Sequence, residues 1–108
     1  MVIDFIEESK SKGKILHSKL NELKQKSNNN ISHIYGEGLI AAILFQDPIT
    51  NKPTSILPSK ISELCMQKGL LVVHTGRESI KLGPPLTITE DALLEGIEVL
   101  SEIILDNI

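Results

Sequence analysis

The stretch IKLGPPLTITE, residues 80–90, links a short strand to the most clearly patterned helix of the chain. The two prolines at positions 84 and 85 have no N–H to donate, so strand pairing must end before them. Thr87 with Glu90 three residues later fits a capping box, and Thr89 is an alternative helix cap. The stretch therefore predicts a strand over residues 79–82, a break at the prolines and a helix directly afterwards.

The predicted C-terminal helix carries a single apolar stripe. Its members follow the i, i+4, i+7, i+11 spacing of one helix face: Leu93, Ile97, Leu100 and Ile104. Glu90 and Asp91 lie near the positive end of the helix, where acidic side chains are favourable. We therefore expect this helix to pack on the rest of the domain through the stripe.

Another amphipathic helix is predicted from about residue 2 to residue 26. Its apolar residues are Val2, Ile6, Ile15, Leu16, Leu20 and Leu23. Spacings of three and four residues place the last three on one stripe. Gly13 is expected to weaken the middle of this helix by about 1 kcal/mol relative to alanine, and the asparagines at 28–30 are expected to end it.

A continuous apolar run at residues 39–45 follows Gly36-Glu37-Gly38. A run of this length with branched side chains is typical of a strand covered on both faces. The glycines indicate a bend or a close backbone approach just before it. We expect one strand here, followed by a turn-rich loop at residues 47–53.

Residues 58–68 predict a further helix, with Ile61, Leu64 and Cys65 on its apolar face and Gly69 as its C-terminal stop. Two short strands, residues 70–74 and 79–82, are close enough to form a hairpin around a turn at residues 75–78. The element order is then α-β-α-β-β-α. This order predicts an α+β domain with a small, mostly antiparallel sheet and helices packed on one side.

Size and composition restrict the function. The 108 residues suit one domain, residues 1–108. A net charge of -3, one tyrosine, two phenylalanines and no tryptophan argue against nucleic-acid binding. The longest apolar run is far shorter than the about 20 residues of a membrane span, and no Cys/His cluster has zinc spacing. The single cysteine, Cys65, and the lack of a signal-peptide pattern favour the cytoplasm.

Three motifs, in order, are IYGEGLI at residues 34–40, KGLLV at residues 68–72 and IKLGPPLTITE at residues 80–90. Together they resemble the C-terminal small domain of class-III aminotransferases, the group that contains the 4-aminobutyrate, ornithine and acetylornithine aminotransferases. The family typically has a V-R-G-x-G-L-like strand entry, a K-G-L-L-V-like strand and an I-R-x-x-P-P-L-x-I-T-like run. The resemblance covers residues 3–104, and PPLTITE is its most specific part.

Two positions depart from the family pattern. In many members an arginine at the position of Lys81 grips the substrate carboxylate with a planar fork that lysine lacks. The resemblance implies that Lys81 binds substrate, and a solvated strand lysine is the alternative. Arg77, the only arginine, either replaces the missing guanidinium or is an exposed turn residue. Members commonly have arginine where this chain has Tyr35, which puts the usual contacts there in doubt.

The resemblance also implies pyridoxal 5'-phosphate in the intact enzyme. This cofactor needs a Schiff-base lysine, an acidic partner for its ring nitrogen and backbone donors around its phosphate. In the family these groups lie in the large domain, upstream of the matched region. No lysine here has the context of a Schiff-base lysine, and Gly36-Glu37-Gly38 precedes a strand instead of a helix. We therefore expect no cofactor on this chain alone and no catalytic residue in it.

Other catalytic candidates are weaker. His17, His33 and His74 have no neighbouring nucleophile or acid in a recognisable motif, so we expect structural or exposed histidines. Cys65 is expected to be a small buried hydrophobe.

The sequence thus predicts part of a transaminase: an expressed domain, a gene fragment or one subunit of a split enzyme. The position of Met1 at the start of the first helix favours a domain or a split enzyme over random truncation. Joined to its large domain, it is expected to serve amino-group transfer between an amine or amino acid and an oxo acid. The alternative is a stand-alone interaction or ligand-binding module derived from that domain. Without the large domain, exposed apolar surface predicts a homo-oligomer, most simply a two-fold dimer.

Overall fold

The computed structural model contains three helices and a four-stranded antiparallel sheet. It describes residues 2–70, 72–74, 76–85 and 87–108, without the side chains of residues 2–6 and 9. In chain order the elements are α1 (Val2–Lys26), β1 (Ile31–Tyr35), β2 (Ala41–Phe45), α2 (Ile56–Gln67), β3 (Val73–His74), β4 (Ser79–Leu82) and α3 (Glu90–Asp106). Some predicted positions lie outside the described residues or side chains: Val2, Ile6, Leu71, Thr75 and Leu86.

The sheet has the order β1-β2-β4-β3, and each described pair of neighbouring strands is antiparallel. The α+β class is confirmed, as is the hairpin of β3 and β4. The chain has one strand more than predicted, so the order is α-β-β-α-β-β-α. Gly36 and Gly38 have φ of 123° and 58°, values that suit glycine. They reverse the chain between β1 and β2, where a bend or a close backbone approach was predicted. The close approach is present, since Gly38 lies against the backbone of Gly13.

One face of the sheet is covered and the other is open. Along β2, Ala41, Ile43 and Phe45 are buried, whereas Ala42 and Leu44 stay partly exposed. The expectation of a strand covered on both faces is therefore not met, because all three helices pack on the same side, as predicted. The core lies between that buried face and the helices.

Helix α1 buries the predicted stripe, since Leu16, Leu20 and Leu23 are at most 2% exposed. Gly13 lies on the same side, against the backbone of the turn that contains Gly38. Among the described helices, none is both long enough and apolar enough to cross a membrane.

Helix α2 starts two residues earlier than predicted and stops where glycine was expected to stop it. Pro58 lies in the first turn, where its missing N–H is tolerated. At the other end Gly69 has φ of 79°. The Leu70 N–H donates to the Cys65 carbonyl at 2.8 Å and the Gly69 N–H to the Met66 carbonyl at 3.1 Å. These two bonds form a Schellman motif and satisfy carbonyls at the end of the helix.

The connection from β4 to α3 follows the sequence prediction in its order, but the cap is the alternative, Thr89, and not the capping box of Thr87 and Glu90. Strand β4 ends at Leu82, before the prolines, and α3 begins at Glu90. Thr89 is the cap, because its hydroxyl accepts a hydrogen bond from the Ala92 N–H at 3.1 Å. The apolar stripe of α3 is buried as expected: Leu93, Ile97, Leu100 and Ile104.

Candidate functional site

The open face of the sheet, here called the outer face, carries a row of four residues, one from each strand. Tyr35 is opposite Ala42, Ala42 is opposite Lys81, and Lys81 is opposite Val73. Directly opposed residues in antiparallel strands point to the same side. Ile80, the neighbour of Lys81 in β4, is fully buried on the other side. The row therefore faces away from the helices.

Lys81 occupies the outer face in β4 and is exposed. Among the residues that the structure describes, no acidic side chain forms an ion pair with it. Its neighbours in the row, Ala42 and Val73, are uncharged. The ammonium group is therefore available to an anion that approaches the outer face.

Arg77 lies in the bend between β3 and β4 and is exposed. Its carbonyl oxygen is 2.9 Å from Nε2 of His74, which ties the bend to β3. Arg77 precedes β4, which begins at Ser79, whereas Lys81 lies within the strand. Of the two predicted site residues, only Lys81 belongs to the row.

Tyr35 and His33 form a feature that the sequence analysis missed. Their rings are stacked, with centroids 5.3 Å apart and planes 8° from parallel. The two residues are two positions apart in β1, so they share the outer face. The sequence signal for this strand is weak, because Ile31 and Ile34 are three positions apart and the strand register shifts between Ile31 and His33. ISHIY therefore lacks the strict alternation that indicates a strand.

The remaining polar candidates do not form a reaction centre in the described part of the chain. Burial raises the pKa of the Cys65 thiol to about 11, so this group stays protonated at neutral pH. Nε2 of His17 is buried and has no hydrogen-bond partner among the described residues. No described group of three or more His, Cys, Asp or Glu side chains could hold a metal ion.

The described residues do not fit a pyridoxal phosphate site. All ten lysines are exposed or partly exposed, so none has the enclosed, desolvated setting of a Schiff-base lysine. The N-terminus of α3 is occupied by the Thr89 cap and carries Glu90 and Asp91, which repel a phosphate. The glycine turn joins two strands, so it is not the strand-to-helix loop that cradles a phosphate.

An apolar cleft of about 310 Å³ lies between the end of α2, the segment after β4 and the N-terminal half of α3. Leu70, Pro84, Pro85 and Ile88 line it, with Leu16 and Leu100 also in contact. Its lining contains no charged side chain. It offers no group that would hold the charged end of an amino acid or an oxo acid.

Comparison with known proteins identifies the family. The model of the aminotransferase class-III family matches residues 3–104. Acetylornithine aminotransferase of Bacillus subtilis is 34% identical over 102 residues, which are 94% of this chain and 23% of that protein. Mitochondrial ornithine aminotransferase of Arabidopsis thaliana is 31% identical over 102 residues, 92% of this chain and 20% of that protein.

Solved structures give the same result. The acetylornithine aminotransferase of Elizabethkingia anophelis superposes with a TM-score of 0.81 at 29% identity, covering 95% of this chain and 24% of that one. A phospholyase from Arthrobacter has a TM-score of 0.85 at 21% identity and shares the fold. The fold and the sequence match together define an aminotransferase domain. This chain belongs to the class-III aminotransferase family, and it spans about a fifth to a quarter of the length of these relatives.

Proposed function

We propose that this chain is the C-terminal small domain of a pyridoxal-phosphate-dependent class-III aminotransferase. Joined to a large domain, in the same or a separate chain, it serves the transfer of an amino group between an amine or amino acid and an oxo acid. Its own part is to cover one side of the active-site cleft and to bind the substrate carboxylate. The chain alone has no transaminase activity.

One observation carries this proposal: the family match extends over residues 3–104, yet the relatives are about four to five times longer. The part of the relatives that this chain does not match is the part that supplies the cofactor site in the family. The exposed lysines and the capped, acidic N-terminus of α3 support a cofactor site that lies in the large domain and not in this chain.

Lys81 is the residue to which we assign carboxylate binding. It is exposed on the outer face and is free of ion pairs in the described part of the chain. A lysine supplies a full positive charge and three donors, although it cannot form the two parallel hydrogen bonds of a guanidinium. Arg77 is a secondary candidate, because its exposed side chain in the bend can approach a long substrate from the end of β4.

A chimera tests the proposal. The matched C-terminal segment of the Bacillus subtilis acetylornithine aminotransferase, 102 residues, is replaced by this chain, and amino transfer to an oxo acid is measured. We expect the chimera to be active and the truncated large domain to be inactive.

Lys81→Ala in the chimera should raise KM for amino-acid donors at least about tenfold, since a charge-assisted hydrogen bond is lost, and should leave KM for simple amines unchanged. The matched control, Lys52→Ala, changes an exposed loop lysine and should leave KM unchanged.

Two results contradict the proposal. A chimera that binds the cofactor and folds but has no more activity than the truncated protein favours the stand-alone module. A saturable change in pyridoxal phosphate absorbance with the isolated chain, beyond that given by free lysine, disproves the claim that the cofactor site lies elsewhere.

A cytoplasmic location also belongs to this proposal. A single buried cysteine with no disulfide partner suits a reducing compartment. Because the Arabidopsis relative is mitochondrial, fractionation of cells that express the full-length protein is the direct measurement, and recovery in mitochondria contradicts the cytoplasmic assignment.

A further inference from the structure

We propose that Tyr35 and Lys81 together form a two-point site for the substrate carboxylate, with Ala42 as its floor. This inference rests on the proposed function, because it adds a second ligand to the carboxylate site assigned to Lys81. It gives a binding role to Tyr35, which sequence reasoning treated only as a departure from the family pattern.

Strand register brings the two side chains to one place. Tyr35 and Lys81 flank Ala42 in a single row, on strands two apart in the sheet. Strands lie about 4.8 Å apart, so the two backbones are about 10 Å apart. The methyl group of Ala42 is the only side chain between them in the row, and it leaves open space above the sheet. A tyrosine and a lysine are long enough to contact one small group in that space from opposite sides.

The chemistry of the two side chains suits a carboxylate. A carboxylate has two oxygens that accept hydrogen bonds and no donor when ionised. The ammonium group of Lys81 donates a charge-assisted hydrogen bond to one oxygen, and the phenol of Tyr35 donates to the other. Two separate donors then provide the directionality that a single lysine lacks. The fourth member of the row, Val73, brings no negative charge to the site.

His33 is a positioning residue for the phenol. Its ring stacks on Tyr35 at 5.3 Å with planes 8° apart. Tyr35 is 54% exposed, so without this contact its ring would sample several rotamers. The stack restricts the ring before ligand binding and reduces the conformational entropy lost when the phenol engages an anion.

The chain itself supplies a reporter. Tyr35 is its only tyrosine and it has no tryptophan, so intrinsic fluorescence comes from the proposed site alone. The isolated chain, diluted until it is monomeric so that the outer face is uncovered, is titrated with glutarate as the carboxylate probe and with glutaramide as the neutral probe of matched shape, at constant ionic strength. We expect a saturable fluorescence change with glutarate at millimolar concentration and none with glutaramide.

Three variants separate the contributions. Lys81→Ala should weaken glutarate binding at least about tenfold. Tyr35→Phe retains a ring for the His33 stack and removes only the hydroxyl, so we expect binding about five times weaker and an unchanged fold. Because this variant lacks the fluorophore, its affinity is read from the amide resonances of Ala42 and Lys81. Lys52→Ala, in the exposed loop after β2, is the matched control and should bind as the parent does.

The outcomes distinguish this inference from the function on which it rests. No saturable change, equal responses to glutarate and glutaramide, or equal losses in Lys81→Ala and Lys52→Ala overturn the carboxylate site. A loss in Lys81→Ala without any loss in Tyr35→Phe overturns the role of Tyr35 and leaves that of Lys81. Amino transfer by the chimera is a separate measurement, so an active chimera whose isolated domain ignores glutarate refutes only the two-point site.

Discussion

Gly13 of α1 touches Gly38 of the β1–β2 turn so closely that a Cβ atom added at Gly13 would lie 2.6 Å from the Cα of Gly38. Both partners in this contact are backbone, so a larger side chain cannot be accommodated by a rotamer change. Alanine at a helix interior normally stabilises by about 1 kcal/mol relative to glycine. We expect the opposite for Gly13→Ala, a loss of about 1–3 kcal/mol in the free energy of unfolding, because the helix must move off the turn.

The matched control is Gly96→Ala in α3. A Cβ atom there would lie 3.6 Å from Cδ2 of Leu70, which is an ordinary van der Waals contact. We expect this variant to be more stable than the parent by up to about 1 kcal/mol, in line with helix propensity. Urea unfolding of both variants tests the pair. If Gly13→Ala were as stable as Gly96→Ala, the close approach would have no energetic importance.

The N-terminus of α3 gives a second prediction. Thr89 directly precedes α3 and accepts a hydrogen bond from the Ala92 N–H, whereas Thr87 lies three positions before Glu90, the first residue of the helix. We expect Thr89→Ala to cost about 1 kcal/mol, the usual loss of a threonine cap. Thr87→Ala should change stability by less than about half of that. Thermal unfolding of the two variants decides between the caps, and a larger loss for Thr87→Ala contradicts the assigned geometry.

Most of the fold could be predicted because the core obeys simple periodicity. The stripes of α1 and α3 are buried as their spacing indicates, and Gly69 ends α2 because glycine tolerates its positive φ. Strand β1 was missed for a physical reason: it is an edge strand whose register shifts between Ile31 and His33, so its apolar residues do not alternate with period two. The prediction that β2 is covered on both faces was wrong because the outer face of the sheet is open.

The candidate site was harder to predict than the fold. Lys81 could be singled out because it departs from a recognisable motif. Its relation to Tyr35 depends on the register of three strands, and one of these strands was missing from the prediction. Sequence separation also hides the pair, since Tyr35 and Lys81 are 46 positions apart in the sequence, whereas Ala42 alone lies between them in the row across the sheet.

The third prediction concerns Cys65, whose buried thiol has its pKa raised from 9.0 to about 11. Between these values the unfolded chain releases the thiol proton and the folded chain keeps it. Stability that is fully present below about pH 9 should therefore be lost as the pH rises towards 11, by up to about 2–3 kcal/mol. Urea unfolding from pH 8 to pH 11 measures this slope.

Cys65→Ala is the control, because it removes the buried thiol whose pKa is raised. We expect a shallower pH dependence in this variant, even though the cavity left by the sulfur lowers its stability at every pH. Equal slopes for parent and variant would show that the thiol is not the cause. Thiol reagents provide a second measurement: at pH 8 they should modify the unfolded chain and leave the folded chain almost unmodified.

The last prediction is self-association of the isolated chain. Apolar side chains are exposed on the outer face, where Tyr35 is 54% and Val73 58% accessible. The chain spans about a quarter of the length of the solved relative, so no large domain is present to cover this apolar surface. We therefore expect the outer face to pair with a second copy of the chain. We expect sedimentation equilibrium to give a dimer that dissociates on dilution.

Two substitutions locate the contact. Val73→Thr retains a β-branched strand residue and should weaken the dimer. Ile49→Thr changes a loop residue that is 89% exposed and should leave the dimer unchanged. A monomer at every concentration, or an equal effect of the two substitutions, contradicts association through the outer face.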